Sequence, residues 1–194
     1  MDRGRLTLAA MITAFLFLSA WFAISYAGAG IPSVQAIENE KYFPSLISAI
    51  RDAKTEIDVV MFEAKYYTNY RYSKPNEILD ELRNASSRGV VVRVILEGGD
   101  EFLGDDFSKA SASACDYLSS GGVDVRFDPE NVTTHAKLVI IDSDTVIIGS
   151  TNWNYYAIEE NNEASVLVHS AGLARSLGSY FENLWLDSSR CRAG

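Results

Sequence analysis

Four side chains able to attack or hold a phosphate fall within 21 residues, "THAKLVIIDSDTVIIGSTNWN" (134–154): His135, Lys137, Ser150 and Asn152. Neutral imidazole is a competent nucleophile near pH 7, since its ordinary pKa is about 6.5. Ammonium, hydroxyl and amide groups hold oxygens on which charge builds, so the set suits attack on phosphorus. That chemistry wants a second histidine to protonate the leaving oxygen. The chain has only one other, His169, which ends the apolar run "SVLV" and has neither a lysine nor a Gly-Ser turn beside it. It reads as a polar residue closing a strand. A carboxylate on the imidazole's other nitrogen would fix its tautomer. Glu163 is the first candidate, with Glu159 and Glu160 as rivals on a loop.

These groups need a rigid support. "HAKLVIID" has strand character, so His135 and Lys137 share a face with Val139 and Ile141, while Asp142 points the other way and caps the turn "DSDT". "TVIIG" returns as the second strand of a hairpin. If it turns tightly about Ser143 and Asp144, Ser150 comes back opposite Lys137 and Asn152 opposite His135. Gly149 permits close approach of a ligand or a backbone.

The run H-x-K, four residues, D, six residues, G-S-x-N is met at His135, Lys137, Asp142, Gly149, Ser150 and Asn152. It resembles the signature of the phospholipase D superfamily, and the similarity extends over about residues 33–185, nearest to short single-motif members that include an exported endonuclease. The resemblance implies a phosphohistidine intermediate, no metal or other cofactor, and phosphate held by Lys137, Ser150 and Asn152. It implies that Glu163 orients the histidine and that Asp142 is structural. It also implies a homodimer with a shared active site, so that the second histidine is His135 of another copy across a two-fold axis.

Around the motif, short strands alternate with helical segments. Strands are expected at "SVQAIE", "EIDVVMF" (56–62), "VVVRVIL" (90–96), "VDVRF" and "EASVLV" (163–168). Helices are expected over "FPSLISAIRDAK", over "EILDELRNASSRG", and through Cys115 and Leu118 up to Gly121-Gly122. A last helix carries Leu173, Leu177, Tyr180, Phe181, Leu184 and Trp185 on one side. The fold class is α/β: a mixed β-sheet sandwiched by helices, a single phospholipase D-like domain over residues 31–194.

Residues 1–30 differ. No charge occurs from Leu6 to Gly30 after Arg3 and Arg5, which marks a membrane-targeting segment. It is either a retained anchor or a signal peptide cleaved near Ala29; both leave the domain extracytoplasmic, tethered or secreted. Outside the cell Cys115 and Cys191 could pair, or be two unrelated thiols. Two histidines and two cysteines, each pair far apart in sequence, make no zinc ligand set. The acidic loop 97–106, with Asp100, Glu101, Asp105 and Asp106, lacks calcium-loop spacing and reads as a solvated turn.

The substrate stays open. Net charge is −9, which weakens long-range attraction to nucleic acid. The loop "EAKYYTNYRYSKPN" interleaves Tyr66, Tyr67, Tyr70 and Tyr72 with Lys65, Arg71 and Lys74. It could stack bases, sit among lipid headgroups, or simply pack. Trp153, Tyr155 and Tyr156 could line a pocket or join the core. The single-motif relatives favour a nucleic acid substrate; phospholipid is the alternative, and a phosphate-binding module without turnover is the non-enzymatic one.

Overall fold

The computed structural model describes residues 32–99 and 103–191. The N-terminal segment 1–30, and with it the expected anchor or signal peptide, lies outside them, as do Asp100 and Glu101. Among the described residues no helix is long and apolar enough to cross a membrane.

Among the described residues eight strands form one mixed sheet: β1 (Ser33–Ala36), β2 (Glu56–Met61), β3 (Val91–Leu96), β4 (Asp124–Phe127), β5 (Lys137–Ile141), β6 (Thr145–Gly149), β7 (Ser165–His169) and β8 (Ser189–Arg190). Their order is β1-β7-β6-β5-β2-β3-β4-β8. β2, β3 and β4 run parallel, joined by the helical crossovers α2 (Lys74–Ser87) and α3 (Asp105–Ser120); the other pairings are antiparallel. β2 is buried on both faces from Ile57 to Met61, and β5 throughout, so the expected alternation gives way to continuous apolar runs.

The two faces are covered unequally. Ile57, Val59, Met61, Val94 and Val139 pack with Leu46 and Ile50 of α1 (Tyr42–Asp52), Leu82 of α2, and Leu118 of α3. On the other face Val60, Ile95, Leu138 and Val146 meet Phe181 and Trp185 of α5 (Ala171–Asp187). A single helix on that side needs only a narrow stripe, so Leu173 and Tyr180 stay exposed, contrary to the apolar face read from the sequence. Arg93 reaches over this face, chelating Asp58 at 2.8 Å while stacking above Phe181.

Two elements and the start of a helix escaped the sequence reading. Lys74 and Pro75 open α2 rather than ending the preceding loop, because proline tolerates the first helical turn. A one-and-a-half-turn helix, α4 (Tyr155–Glu159), follows the motif, capped by the Asn154 side chain accepting from Ala157 N–H at 2.8 Å. β8 adds two residues to the β4 edge, and Cys191, just after it, forms a disulfide with Cys115 of α3, their Cα atoms 6.3 Å apart.

Candidate active site

The site forms where β2 and β5 end together. Met61 pairs with Lys137, and Phe62 N–H donates to Ala136 O at 3.0 Å, so the backbone just before β5 is pinned to that just after β2. His135 therefore projects from an extended segment preceding β5 rather than from the strand itself. Its ring lies 4.4 Å from the Phe62 ring, and the Lys137 ammonium sits 4.6 Å from the same ring. Phe62 is a platform for both groups. Nothing in its sequence surroundings marks it, since it reads as one more apolar strand residue.

Lys137 is buried, whereas His135 is exposed. The ammonium donates to His135 O at 2.7 Å and lies 3.2 Å from His135 Nδ1. Burial disfavours the charged forms of both. The Lys137 pKa is pushed down to about 8, with the Glu163 and Glu63 carboxylates pulling it back up. The His135 pKa is lowered by partial burial and then by the Lys137 charge, which keeps the imidazole neutral at pH 7. While Lys137 is protonated, Nδ1 accepts and the ring proton belongs on Nε2.

The hairpin register differs from the expected one. Ile141 pairs with Thr145 across a three-residue turn, Asp142 to Asp144, in which Asp142 and Ser143 take φ of 52° and 53°. Continuing that register sets Lys137 level with Gly149, and Ser150 level with Ala136 rather than Lys137. One residue of slip changes the face. Ser150 reaches the site differently: β6 stops at Gly149, and Ser150 N–H donates to Ala164 O at 3.1 Å. The Ser150 hydroxyl accepts from Ala164 N–H at 3.1 Å and donates to Glu163.

Glu163 consequently makes no hydrogen bond to His135 in this structure, although orienting that ring was its expected role. Its two oxygens accept from Ser150 Oγ and, at 3.1 Å, from Asn161 Nδ2. Lying just before β7, it meets the hydroxyl of the adjoining strand end first, while Lys137 occupies Nδ1 of the imidazole. Its field still reaches the Lys137 ammonium. The rivals lie elsewhere: Glu159 pairs with Lys74 at 2.8 Å and Glu160 accepts from Tyr155 Oη at 3.0 Å, both around α4. Asn152 is half-buried, with its Oδ1 buried and lacking a hydrogen-bond partner among the described residues. The O/N assignment of an amide follows from its partners, so the same position could present a donor.

Asp142 does not cap its own turn. Its carboxylate accepts from Lys54 N–H, Thr55 N–H, Thr55 Oγ1 and Glu56 N–H, tying the hairpin tip to the α1–β2 connection. Burial opposes its ionisation, but those bonds hold it below the usual carboxylate range. His169 belongs to the same end: its Nδ1 lies 2.9 Å from Thr145 Oγ1 and 3.6 Å from Asp144. β6 runs from Thr145 to Gly149, so about 14 Å of strand separates His169 from the His135 end.

Two carboxyl groups missed as site residues brace His135 from behind. Glu97, read from sequence as part of a solvated turn, and Asp128 are both buried, and both accept from Thr134 N–H, at 2.7 and 3.1 Å. Burial, then the neighbouring Asp128, push the Glu97 pKa up.

Gly149 serves the backbone. A Cβ there would stand 2.2 Å from Ser165 Oγ and 2.4 Å from Ser165 Cα. Gly149→Ala must therefore force β6 and β7 apart, at a cost of roughly 1–3 kcal/mol. It should lower the urea midpoint and displace Ser150; an unchanged midpoint would show that the strands approach less closely.

Against known proteins, the family described as "Cardiolipin synthase, PLD-like domain" matches residues 46–185. Mitochondrial cardiolipin hydrolase of Xenopus tropicalis is 34% identical over 101 residues, covering 52% of this chain and 45% of that protein. The 5'-3' exonuclease PLD3 of Xenopus tropicalis is 28% identical over 162 residues, 76% of this chain and 31% of that protein. The chain thus spans about half the length of the curated cardiolipin hydrolases it matches. Among solved structures, Nuc from Salmonella typhimurium, a phospholipase D family member, aligns with a TM-score of 0.71 at 27% identity, covering 84% of this chain and 99% of Nuc. With the family's domain matched across most of the eight-stranded sheet, the chain belongs to the phospholipase D superfamily.

Proposed function

We propose that this protein hydrolyses phosphodiesters through a phosphohistidine on His135, without a metal, and that nucleic acid is its substrate. The observation carrying this reading is the pairing of a neutral, exposed imidazole with a buried ammonium on one aromatic platform. An arriving phosphodiester draws the Lys137 ammonium off Nδ1 and onto its own oxygens, joined by Ser150 and Asn152. With Nδ1 freed, the ring proton passes through solvent from Nε2 to Nδ1, where the Glu163 carboxylate is available to accept its hydrogen bond. The unprotonated Nε2 attacks phosphorus, the P–O bond to the leaving group breaks, and the departing oxygen takes a proton from a second imidazole, which has taken one up from solvent beside the bound anion. Water then attacks, returns its proton to that imidazole, and the P–N bond breaks.

The second imidazole comes from another copy of the chain. His169, held at the far end of β6, cannot supply it. A homodimer with His135 near its two-fold axis places both rings at one phosphate. Membrane tethering or secretion by residues 1–30 is part of the same reading, and the Cys115–Cys191 disulfide supports an oxidising compartment.

The likeness to the exonuclease PLD3 supports nucleic acid, while the names of the cardiolipin hydrolases favour a lipid diester instead. Turnover of bis(p-nitrophenyl) phosphate that survives chelator supports the enzyme; tight phosphate binding without turnover would make it a binding module. Plasmid DNA and cardiolipin vesicles, assayed side by side, choose the substrate. Exchanging wild-type subunits with an excess of His135→Ala subunits tests the shared site. Each hybrid dimer lacks one imidazole of the pair, so activity should fall well below the wild-type subunit share, whereas activity proportional to that share would mean independent sites and defeat the dimer.

A further inference from the structure

A cavity of about 950 Å³ opens between the loop after β2 and helix α4, lined by Tyr67, Tyr70, Arg71, Tyr72, Tyr155 and Tyr156. Resting on the phosphodiesterase reading above, we propose that it is a stacking subsite for the unpaired bases of a single-stranded nucleic acid whose backbone enters the site at His135.

Four observations carry this. First, the rings are presented rather than packed: Tyr72 is 95% exposed, Tyr70 71% and Tyr156 67%. Tyr66 of the same loop shows the contrast, stacking inward on Tyr117 at 3.8 Å. Second, the loop is held in place. The buried Asn76 amide accepts from Tyr67 N–H at 2.8 Å and donates to Tyr67 O and Tyr70 O at 2.9 and 3.1 Å. Tyr67 Oη in turn accepts from Tyr155 N–H at 3.0 Å, joining loop and helix α4. A fixed platform loses little entropy on binding.

Third, the cavity lies within a strand's reach of the chemistry. Trp153 N–H donates to Glu63 O and Lys65 N–H to Trp153 O, so the chain leaving Phe62 runs beside the chain leaving the motif until both reach the tyrosines. Phe62 touches His135, and Tyr67 is five residues on, at most about 18 Å of extended chain. Fourth, the loop offers a free cation in an acidic chain. Residues 64–74 hold three cations and no carboxylate in a chain of net charge −9. Lys65 and Lys74 are paired with Glu63 and Glu159, whereas Arg71 is exposed and makes no ion pair among the described residues.

Flat π-faces with a polar rim and one unpaired guanidinium match bases on a phosphate backbone, where stacking is tolerant of sequence. A duplex hides those faces. A lipid chain would want aliphatic walls, and no aliphatic side chain lines the cavity among the described residues.

The test uses the full chain carrying His135→Ala, so that the strand survives, with fluorescein-labelled (dT)20 read by anisotropy. Adding Tyr70→Ala and Tyr72→Ala should weaken binding by between about fivefold and a hundredfold per ring. Tyr70→Phe and Tyr72→Phe should retain it, and an abasic strand of equal length should not distinguish the variants. Unchanged affinity for (dT)20, or loss confined to binding of cardiolipin vesicles, overturns the subsite. Both rings are too exposed for alanine to disturb the core, and a matching melting temperature verifies this. Turnover of bis(p-nitrophenyl) phosphate by the wild-type chain, measured alongside, reports separately on the phosphodiesterase reading.

Discussion

His135→Ala should reduce turnover of bis(p-nitrophenyl) phosphate by about 10⁴-fold or more. The size follows from what remains at the site. The Ser150 hydroxyl is engaged by Ala164 N–H and Glu163, and Lys137 is an electrophile's partner rather than an attacking group while protonated. No neighbouring side chain can take over as nucleophile, and both imidazoles of a shared site vanish with one substitution. The wild-type enzyme, quenched in base where phosphohistidine survives, should carry a phosphoryl adduct on the peptide containing His135. His169→Ala is the matched control and should stay within a few-fold of wild type, since that ring is bound to Thr145 and lies beside Asp144. Retention of more than a hundredth of the activity in His135→Ala would remove histidine from the reaction. Equal damage from His169→Ala would bring the second histidine back into the same chain.

Sequence reading reached far into this molecule because its signals are local. Strand and helix patterns reflect side-chain periodicity, and seven of the eight strands carry enough apolar residues to show it; β8, with the two residues Ser189 and Arg190, does not. His135 and Lys137 stand two apart on one chain, so their proximity needs no knowledge of the fold. Ser150 and Glu163 depend on the hairpin turn and on how β6 meets β7, and there the reading slipped. Two consecutive non-glycine residues in the left-handed region, Asp142 and Ser143, are uncommon, and composition alone favours a shorter turn. Phe62, Glu97 and Asp128 were invisible for another reason. Each acts from a different strand or strand end, and only the parallel β2-β3-β4 arrangement brings their ends together behind His135. Asn76 is similar: the sequence reading left it at the end of the polar loop, yet it lies in the first turn of α2, is buried and organises the tyrosine loop.

The alkaline side of the pH profile should belong to Lys137. Its pKa in the free enzyme is near 8 because burial outweighs the attraction of Glu163 and Glu63. Below that value the ammonium is present to hold phosphate; above it the charge is lost, so kcat/KM, which reports the free enzyme, should fall as pH rises through about 8. Removing the charge altogether with Lys137→Ala should cost about 10²–10³-fold at pH 7, the range for deleting one group that stabilises transition-state charge. Lys137→Arg, ionised at every accessible pH, should move the alkaline limb upward even if its rate is lower. Glu163 then becomes separable from a purely imidazole-orienting role. Glu163→Gln deletes a charge that raises the Lys137 pKa, so the limb should shift to lower pH as well as the rate falling. A reduced rate with an unmoved limb would mean that Glu163 acts on the histidine alone, and that the field seen in the resting site plays no part in catalysis.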